Sequence, residues 1–269
     1  MTTEFAFGSF NLESGGIDQG DDRRLRRQLT MLAEAGADAW ALQECKGFTA
    51  NGHRALFLAE RILNLRAFLV PSSHHGCDLA VFIREGPGLQ ITGVRHEQGS
   101  PYWHAVARVT TEVQGFGMLH LISAHLAPSS PAQRLIEAEA LALIAKDGTA
   151  IAGGDWNAMP ATGPDPPLDG IDAGHVRRKL DRSAARAIEE AAFTDVAACL
   201  GNETPTVGHA VGTLAYRCDR IYTTLPAETI TGYQVIAEDQ PASDHRPVLA
   251  RFNFVGVTGR SGHPACPAG

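Results

Sequence analysis

The chain has few cysteines, and their spacing matches no cysteine-based site. Five cysteines are scattered over 269 residues without a CxxC pair, so neither a disulfide framework nor a thiolate zinc site is indicated. No apolar run is long enough to span a bilayer, and the first residues lack the basic region and apolar stretch of a signal peptide. We therefore expect a cytoplasmic protein without a membrane segment.

An excess of basic charge is also missing. The net charge of −7 argues against a protein held to nucleic acid mainly by nonspecific attraction to phosphates. It does not exclude a nuclease, because bound divalent cations would change the local field. The densest basic cluster, Arg23 to Arg27, is more typical of a solvated helix face than of a nucleic-acid patch.

A short apolar run near the middle of the chain leads into a group of polar residues. Thr149 to Ala152 predicts a buried strand, and Gly153 and Gly154 at its end would let another group approach the backbone closely. Asp155 and Asn157 follow two residues apart, and both side chains leave the same face if the chain stays extended. A carboxylate and an amide placed in this way suit a hydrated metal or a phosphate. The alternative is a plain turn, since Asp, Asn and Gly are common turn residues.

Other predicted strands end in the same kinds of side chain, including those over Phe5–Leu12, Ala37–Leu42 and Gly115–Ser123. The polar residues at or near strand ends are Asn11, Glu44, His125, Asp155, Asn157, Asp219, Asp244 and His245. Functional sites often gather at such edges of a sheet. Carboxylates, amides and imidazoles without cysteine favour Mg²⁺ or Mn²⁺ over zinc.

Helical patterns lie between these strands. Leu25, Leu29 and Leu32 indicate an amphipathic helix, and further helices are predicted over His53–Leu65 and His175–Ala191. Ser130 to Gln133 predicts a helix start with a capping box, which places Arg134 near a helix N-terminus as a candidate substrate-binding residue. Strands and helices are mixed throughout, so we expect one domain over residues 1–255 and a flexible tail over 256–269.

The order of the polar motifs closely resembles that of the endonuclease/exonuclease/phosphatase superfamily. The motifs are Asn11 after the first strand, Gln43-Glu44, Ser123 to Leu126, Gly154 to Asn157, Asp219 to Ile221 and Ser243 to His245. The resemblance extends over residues 4–254, nearly the whole chain. It implies an α/β (α+β) fold, a four-layer α/β/β/α sandwich of two packed mixed β-sheets with outer helices.

The same resemblance implies hydrolysis of a phosphoester with Mg²⁺, or alternatively Mn²⁺, as cofactor. Glu44 would bind the metal, Asn11 would lie beside it, and Asp244 would be a second ligand on the metal side. The expected metal residues are therefore all oxygen donors, as a hard divalent cation prefers.

The resemblance also implies roles for five catalytic residues. Asp155 would orient or deprotonate the attacking water, and Asn157 would donate to a phosphate oxygen. His245 would face the scissile phosphate, oriented by Asp219, and His125 would contact the phosphate or the leaving group. Which of Asp155 and His245 is the base stays open at this point.

The substrate is specified less closely than the reaction. A phosphodiester in nucleic acid is our first expectation, helped by the basic segments 23–27 and 177–179. The alternatives are a small-molecule or lipid phosphoester, and a non-catalytic binding module, which would show broken catalytic positions where none is found. The loops Ser72–Gly76 and Met159–Gly174 are expected to set specificity, and no obligate protein partner is evident.

Overall fold

Two six-stranded mixed sheets form the centre of the protein. The computed structural model describes residues 4–210, 212–238 and 240–257. The first sheet contains, in spatial order, β11 (Ile230–Val235), β12 (Val248–Asn253), β1 (Glu4–Asn11), β2 (Ala39–Gln43), β4 (Leu79–Ile83) and β3 (Arg66–Val70). Strands β1 and β2 run parallel, and the other neighbours in this sheet pair antiparallel.

The second sheet repeats this plan. Its strands are, in spatial order, β5 (Leu89–Gln98), β6 (Ala105–Val113), β7 (Gly117–His125), β8 (Thr149–Asp155), β10 (Asp219–Thr223) and β9 (Thr194–Asp195). Here β7 and β8 are the parallel pair. Each sheet therefore has two neighbouring parallel strands whose carboxyl ends lie at one edge.

Helices cover the outer faces of both sheets. They are α1 (Arg23–Ala35), α2 (Arg54–Leu63), α3 (Pro131–Ala142), α4 (Ala173–Lys179), α5 (Ser183–Glu190) and α6 (Val196–Cys199). Helices α1 and α2 pack on the first sheet in one buried cluster, and α3 and α5 pack on the second sheet in another. A third cluster, which includes Phe7, Val81, Leu121 and Ile151, fills the space between the sheets. The predicted four-layer sandwich is confirmed.

The glycines at the end of β8 allow the close approaches that the sequence predicted. A Cβ atom on Gly153 would lie 2.7 Å from the Ser9 Cβ atom of the opposite sheet. A Cβ atom on Gly154 would lie 2.4 Å from the carbonyl oxygen of Ala124 on the neighbouring strand. Since real side chains are not tolerated at these distances, the two glycines let β8 end deep between its neighbours.

Two helix predictions need correction. The predicted helix His175–Ala191 is two helices, because Asp181 accepts hydrogen bonds from the backbone and hydroxyl of Ser183 and so competes with the helical pattern. The capping box at Ser130 is only half formed. The Ser130 hydroxyl accepts from the Gln133 backbone N–H at 3.2 Å, but the Gln133 side chain donates to the Pro101 carbonyl instead.

The remaining structural predictions concern the tail, the membrane and the cysteines. Val257, at the start of the predicted tail, packs against the cluster between the sheets, and residues 258–269 lie outside the described residues. In the part of the chain that the structure describes, no helix is both long and apolar enough to cross a bilayer. Cys45, Cys77, Cys199 and Cys218 are free thiols.

Candidate active site

Three predicted site residues lie side by side across the second sheet. His125 ends β7 and Asp155 ends β8, and the parallel register places the two opposite each other. Asp219 begins β10, which pairs antiparallel with β8, so it lies opposite Asp155 on the other side. The strand order thus brings residues from distant parts of the sequence into one row.

The Asp155 carboxylate lies at the centre of the site and is 2% exposed. Its Oδ2 atom accepts a hydrogen bond from the Asn11 amide at 3.0 Å, across the gap between the two sheets. The same oxygen lies 3.3 Å from His125 Nε2 and 3.7 Å from His245 Nε2. Three other predicted site residues therefore meet around a single carboxylate oxygen of Asp155.

The environment keeps Asp155 ionised despite its burial. Burial alone would raise the pKa of this carboxyl, but His245 and His125 outweigh it and hold the pKa well below its usual range. The other oxygen, Oδ1, accepts from the Asn157 backbone N–H and the Cys218 thiol, each at 3.0 Å. Asp155 is therefore a buried, multiply hydrogen-bonded anion.

His245 and Asp219 form a closely coupled pair. His245 Nδ1 lies 2.8 Å and 3.0 Å from the two Asp219 carboxylate oxygens, which fixes the orientation of the ring. Burial would lower the pKa of His245, but the carboxylates of Asp219 and Asp155 reverse the sign and raise it to about 10. Burial raises the pKa of Asp219, partly offset by His245. At neutral pH the imidazole carries a positive charge.

Glu44 lies on the other side of Asn11. Its Oε1 atom is 3.3 Å from Asn11 Nδ2, and its Oε2 atom accepts from the Ser14 backbone N–H at 2.8 Å. The Asn11 Nδ2 atom therefore contacts both Glu44 and Asp155, whereas Asn11 Oδ1 accepts from the Glu13 backbone N–H at 2.9 Å. The two carboxylates provide the oxygen donors that Mg²⁺ or Mn²⁺ prefers, so they fit the expected metal.

Asp244 lies at the exposed mouth of the site, and its side chain is 70% exposed. Its carboxylate is 3.8 Å from His245 Nε2, and its backbone N–H donates to Glu13 at 3.2 Å. Glu13 was not among the predicted site residues. Burial and the nearby Asp244 raise the pKa of Glu13, although Arg24 partly offsets them.

Asp155, Asp219 and His245 also form a second arrangement of ligand atoms that could hold a metal ion, because one atom of each lies within 4.8 Å of the others. This trio differs from the predicted metal residues Asn11, Glu44 and Asp244. All three residues of the trio were predicted as catalytic residues, so this arrangement overlaps the predicted catalytic group.

A second histidine supports His125. The rings of His104 and His125 stack with centroids 4.2 Å apart, and His104 Nδ1 lies 3.0 Å from the Ser72 hydroxyl. Burial and the neighbouring His125 lower the pKa of His104 to about 3, so the ring is neutral at physiological pH. His104 lies on the segment that leads into β6, and no motif in the sequence distinguished it.

The sequence left open whether Asn157 faces a ligand or only forms a turn, and the structure shows a turn whose side chain lies at the site. Its φ of 51° is left-handed, and its backbone N–H returns to the Asp155 side chain, so a turn does follow the strand. The side chain is nevertheless part of the site. Its Nδ2 atom donates to the Leu126 carbonyl at 3.0 Å, and its Oδ1 atom accepts from the Lys179 ammonium.

Arg134 does not face the site as a substrate-binding residue would. It is 0% exposed, and its guanidinium donates to the carbonyl of Ala127 at 3.0 Å and to the carbonyl of Arg178. The helix start had suggested an anion site, but the side chain turns inward to satisfy backbone acceptors. Arg134 thereby fixes the end of α4.

A cavity of about 820 Å³ opens beside these residues. His245, Cys218 and Asn157 line it, together with His175 and Lys179 of α4. The predicted loop Met159–Gly174 contributes Ile171 and Asp172 to the lining. Ser73 and His74 of the other predicted loop instead line a separate hollow of about 320 Å³.

The arginine cluster of α1 is largely neutralised by neighbouring acids. Arg23 pairs with Asp21 at 2.5 Å, Arg24 with Asp18 at 2.8 Å and Arg26 with Asp22 at 3.0 Å. The sequence-based preference for a solvated helix face over a nucleic-acid patch agrees with these pairs.

Comparison with known proteins places this geometry in a family. The sequence profile of the Endonuclease/Exonuclease/phosphatase family matches residues 8–245. The match begins in β1, which carries Asn11, and ends at His245. A search of the curated proteins returns no match.

Solved structures share the fold at low sequence identity. A humanized TDP2 of D. rerio superimposes with a TM-score of 0.68 at 18% identity, covering 93% of this chain and 99% of that chain. D. rerio TDP2 complexed with single-strand DNA product gives 0.65 at 16% identity, covering 93% and 99%. The mannosyl-6-phosphatase of Bacteroides thetaiotaomicron gives 0.63 at 14% identity, covering 91% and 98%.

Proposed function

Because the chain belongs to the Endonuclease/Exonuclease/phosphatase family and is thus a phosphoester hydrolase, we propose that it cleaves a phosphodiester with Mg²⁺ or Mn²⁺ as cofactor. The observation that carries this proposal is the Asn11 amide, which contacts Glu44 on one side and Asp155 on the other. His245 faces the same Asp155 oxygen. The proposed metal ligand Glu44 and the proposed proton-transfer residues Asp155 and His245 therefore lie around the same amide.

Glu44 would hold the cation with Asn11 beside it, and Asp244 faces the same site from its exposed mouth. When bound, the cation offsets the negative charge of the phosphoester and of the departing oxygen. Glu44 is suited to this role because the Ser14 backbone N–H and the Asn11 amide fix its carboxylate before any ligand arrives.

The position of Asp155 supports the proton transfers that we propose. We propose that Asp155, which lies between Asn11, His125 and His245, orients the attacking water and accepts its proton as the water oxygen bonds to phosphorus. His245 is the charged imidazole, so it faces the phosphate oxygens and donates a proton to the oxygen that leaves. Asp219 holds the ring in place, and His125 holds the Asp155 carboxylate.

A nucleic-acid phosphodiester is the first substrate that we propose. One of the similar structures holds a single-strand DNA product, and α4 presents the basic residues Arg178 and Lys179 to the cavity. A strand end or an unpaired strand is the form that we expect to enter a cavity of about 820 Å³, because a base in a duplex must leave the stack to enter a pocket.

A small-molecule phosphoester is the second candidate, and the cavity volume favours it. A volume of about 820 Å³ falls within the range of roughly 300 to 1,000 Å³ that is typical of small-ligand sites. A sugar phosphatase is among the similar structures. The two candidates share the same reacting group and differ only in what fills the rest of the cavity.

A substrate screen tests the proposal. The purified protein, assayed with Mg²⁺ on single-stranded DNA, RNA, sugar phosphates and bis(p-nitrophenyl) phosphate, should hydrolyse at least one of them, and EDTA should abolish the activity. Asp155→Asn should lower turnover by about 10³-fold or more with the fold intact. Unchanged turnover in this variant, or no Mg²⁺-dependent hydrolysis of any phosphoester, would overturn the proposal.

Two further proposals concern the whole chain. We propose that residues 1–255 form one catalytic domain, because the site residues come from β1 near the start and from His245 near the end of this range. A cytoplasmic location also stays a proposal, and it rests on the scattered cysteines of the sequence.

A further inference from the structure

Lys179 is the last residue of α4 and lines the same cavity as His245. Its ammonium donates to the Oδ1 atom of Asn157, a residue that is 5% exposed. Because an ammonium can only donate, this contact establishes which atom of the amide is the oxygen. The Asn157 Nδ2 atom accordingly faces a carbonyl, that of Leu126.

The backbone around Lys179 is held from two directions. The Met159 backbone N–H donates to the Lys179 carbonyl at 3.1 Å. The buried Arg134 guanidinium donates to the carbonyl of the preceding residue, Arg178. A side chain whose backbone is fixed in this way loses less conformational freedom when it binds a ligand. The position of the ammonium is therefore built into the fold.

The charge of Lys179 is available to an anion. The ammonium contacts an amide oxygen rather than a carboxylate, so this contact does not neutralise it, and it uses one of three N–H donors. Its charge reaches the reacting centre, since Lys179 is one of the groups that lower the pKa of Asp155. Arg178 and His175 of the same helix line the cavity as well.

We propose that Lys179 binds a non-bridging oxygen of the scissile phosphate and so acts as a phosphate-binding residue beside His245. This inference rests on the proposed function and adds a residue that the sequence motifs did not include. The phosphate would receive a charge-assisted hydrogen bond from Lys179, and the second hydrogen of Asn157 Nδ2, the one not donated to Leu126, could provide another. Such a bond typically changes binding by about 10-fold to 100-fold.

The competing explanation is that Lys179 only holds the Asn157 amide in place. Three variants separate the two roles. Lys179→Gln keeps a donor for Asn157 Oδ1 but removes the charge, Lys179→Arg keeps the charge, and Lys179→Met removes both. Lys146, which is exposed at the end of a short helix away from the site, provides the matched control Lys146→Met.

The first measurement is kcat/KM for bis(p-nitrophenyl) phosphate in the presence of Mg²⁺. We expect a loss of about 10-fold to 100-fold for Lys179→Met and a similar loss for Lys179→Gln. Lys179→Arg should recover most of the activity, and Lys146→Met should match the unmodified protein. Full activity of Lys179→Gln would show that the hydrogen bond to Asn157 is sufficient and would overturn the inference.

The second measurement does not depend on turnover. Isothermal titration of the Mg²⁺-loaded protein with inorganic phosphate should give a Kd about tenfold or more higher for Lys179→Gln than for Lys146→Met. Equal Kd values would overturn the inference even in an active enzyme. If the unmodified protein hydrolyses no phosphoester but its phosphate affinity falls in Lys179→Gln, the proposed function fails while the assignment of Lys179 stands.

Discussion

Removal of the Asp219 carboxylate is the sharpest test of how His245 works. In Asp219→Asn, the ring would keep a hydrogen-bond partner of the same size but lose the charge that lies 2.8 Å from Nδ1. At that distance, with an effective dielectric constant of about 20, the lost attraction is about 6 kcal/mol. That is enough to bring the pKa of His245 from about 10 back to its ordinary range or lower, since burial also favours the neutral ring.

Two assays follow the change. NMR titration of the imidazole of the metal-free protein should show the His245 pKa falling by several pH units in Asp219→Asn. Turnover of a phosphodiester with Mg²⁺ should fall by about 10²-fold to 10⁴-fold, because the neutral ring can no longer donate its proton and is no longer held in the required tautomer.

The same pair also makes a prediction about stability. The pKa of His245 is about 6.5 in the unfolded chain and about 10 in the folded protein. The protonated ring therefore stabilises the folded protein in full at a pH below 6.5, and this stabilisation is lost as the pH rises towards 10. In EDTA, the free energy of unfolding of the unmodified protein should therefore fall across this window, and Asp219→Asn should lack most of the slope. Asp147→Asn, which removes a partly exposed partner of Arg108, is the control. An unchanged His245 pKa in Asp219→Asn would refute the reasoning.

Three further predictions concern the metal, the fold and acid stability. Glu44→Gln should weaken Mg²⁺ binding by at least about tenfold, measured by calorimetry, whereas Glu85→Gln at a surface ion pair should not; equal affinities would exclude Glu44 as a ligand. Gly154→Ala should lower the free energy of unfolding by about 1 to 3 kcal/mol in a urea titration, because its Cβ would lie 2.4 Å from a backbone carbonyl oxygen, and Gly86→Ala, which meets open space, should be nearly neutral. The lowered pKa of His104 contributes stability above the unfolded value of about 6.5, and this is lost as the pH falls towards 3. Between pH 7 and pH 4 the free energy of unfolding should therefore fall by about 3 kcal/mol less in His104→Gln than in the unmodified protein. Identical acid-unfolding curves for the two proteins would contradict a lowered pKa of His104.

Periodicity in the sequence predicted many of the strands and helices, whereas the four layers followed from the resemblance to the family. The β8 segment shows why the prediction reached the site as well. Its apolar run ends in two glycines and an acid. Both glycines allow neighbouring strands to approach the backbone of β8 closely, and the acid then lies between those strands. The prediction of one helix over 175–191 was wrong because a local hydrogen bond from the Ser183 backbone N–H to the Asp181 carboxylate outweighed a continuous helical pattern.

The site predictions failed where a side chain's direction depends on tertiary packing. Arg134 had the sequence context of an anion-binding residue, yet the fold turns it inward to two carbonyls. Lys179 reaches the site at the end of α4, and His104 reaches it on the segment that leads into β6. Neither residue lies in one of the polar motifs, so coordinates were needed to place them beside Asn157 and His125.

The Asn11 amide connects β1 of one sheet to the Asp155 carboxylate of the other. Neither sheet alone can form the proposed active site, because each sheet carries only some of its residues. A refolding chain should regain turnover only after the halves have docked, later than it regains its far-ultraviolet circular dichroism. Weakening of the packing between the two sheets would abolish turnover before either sheet has unfolded.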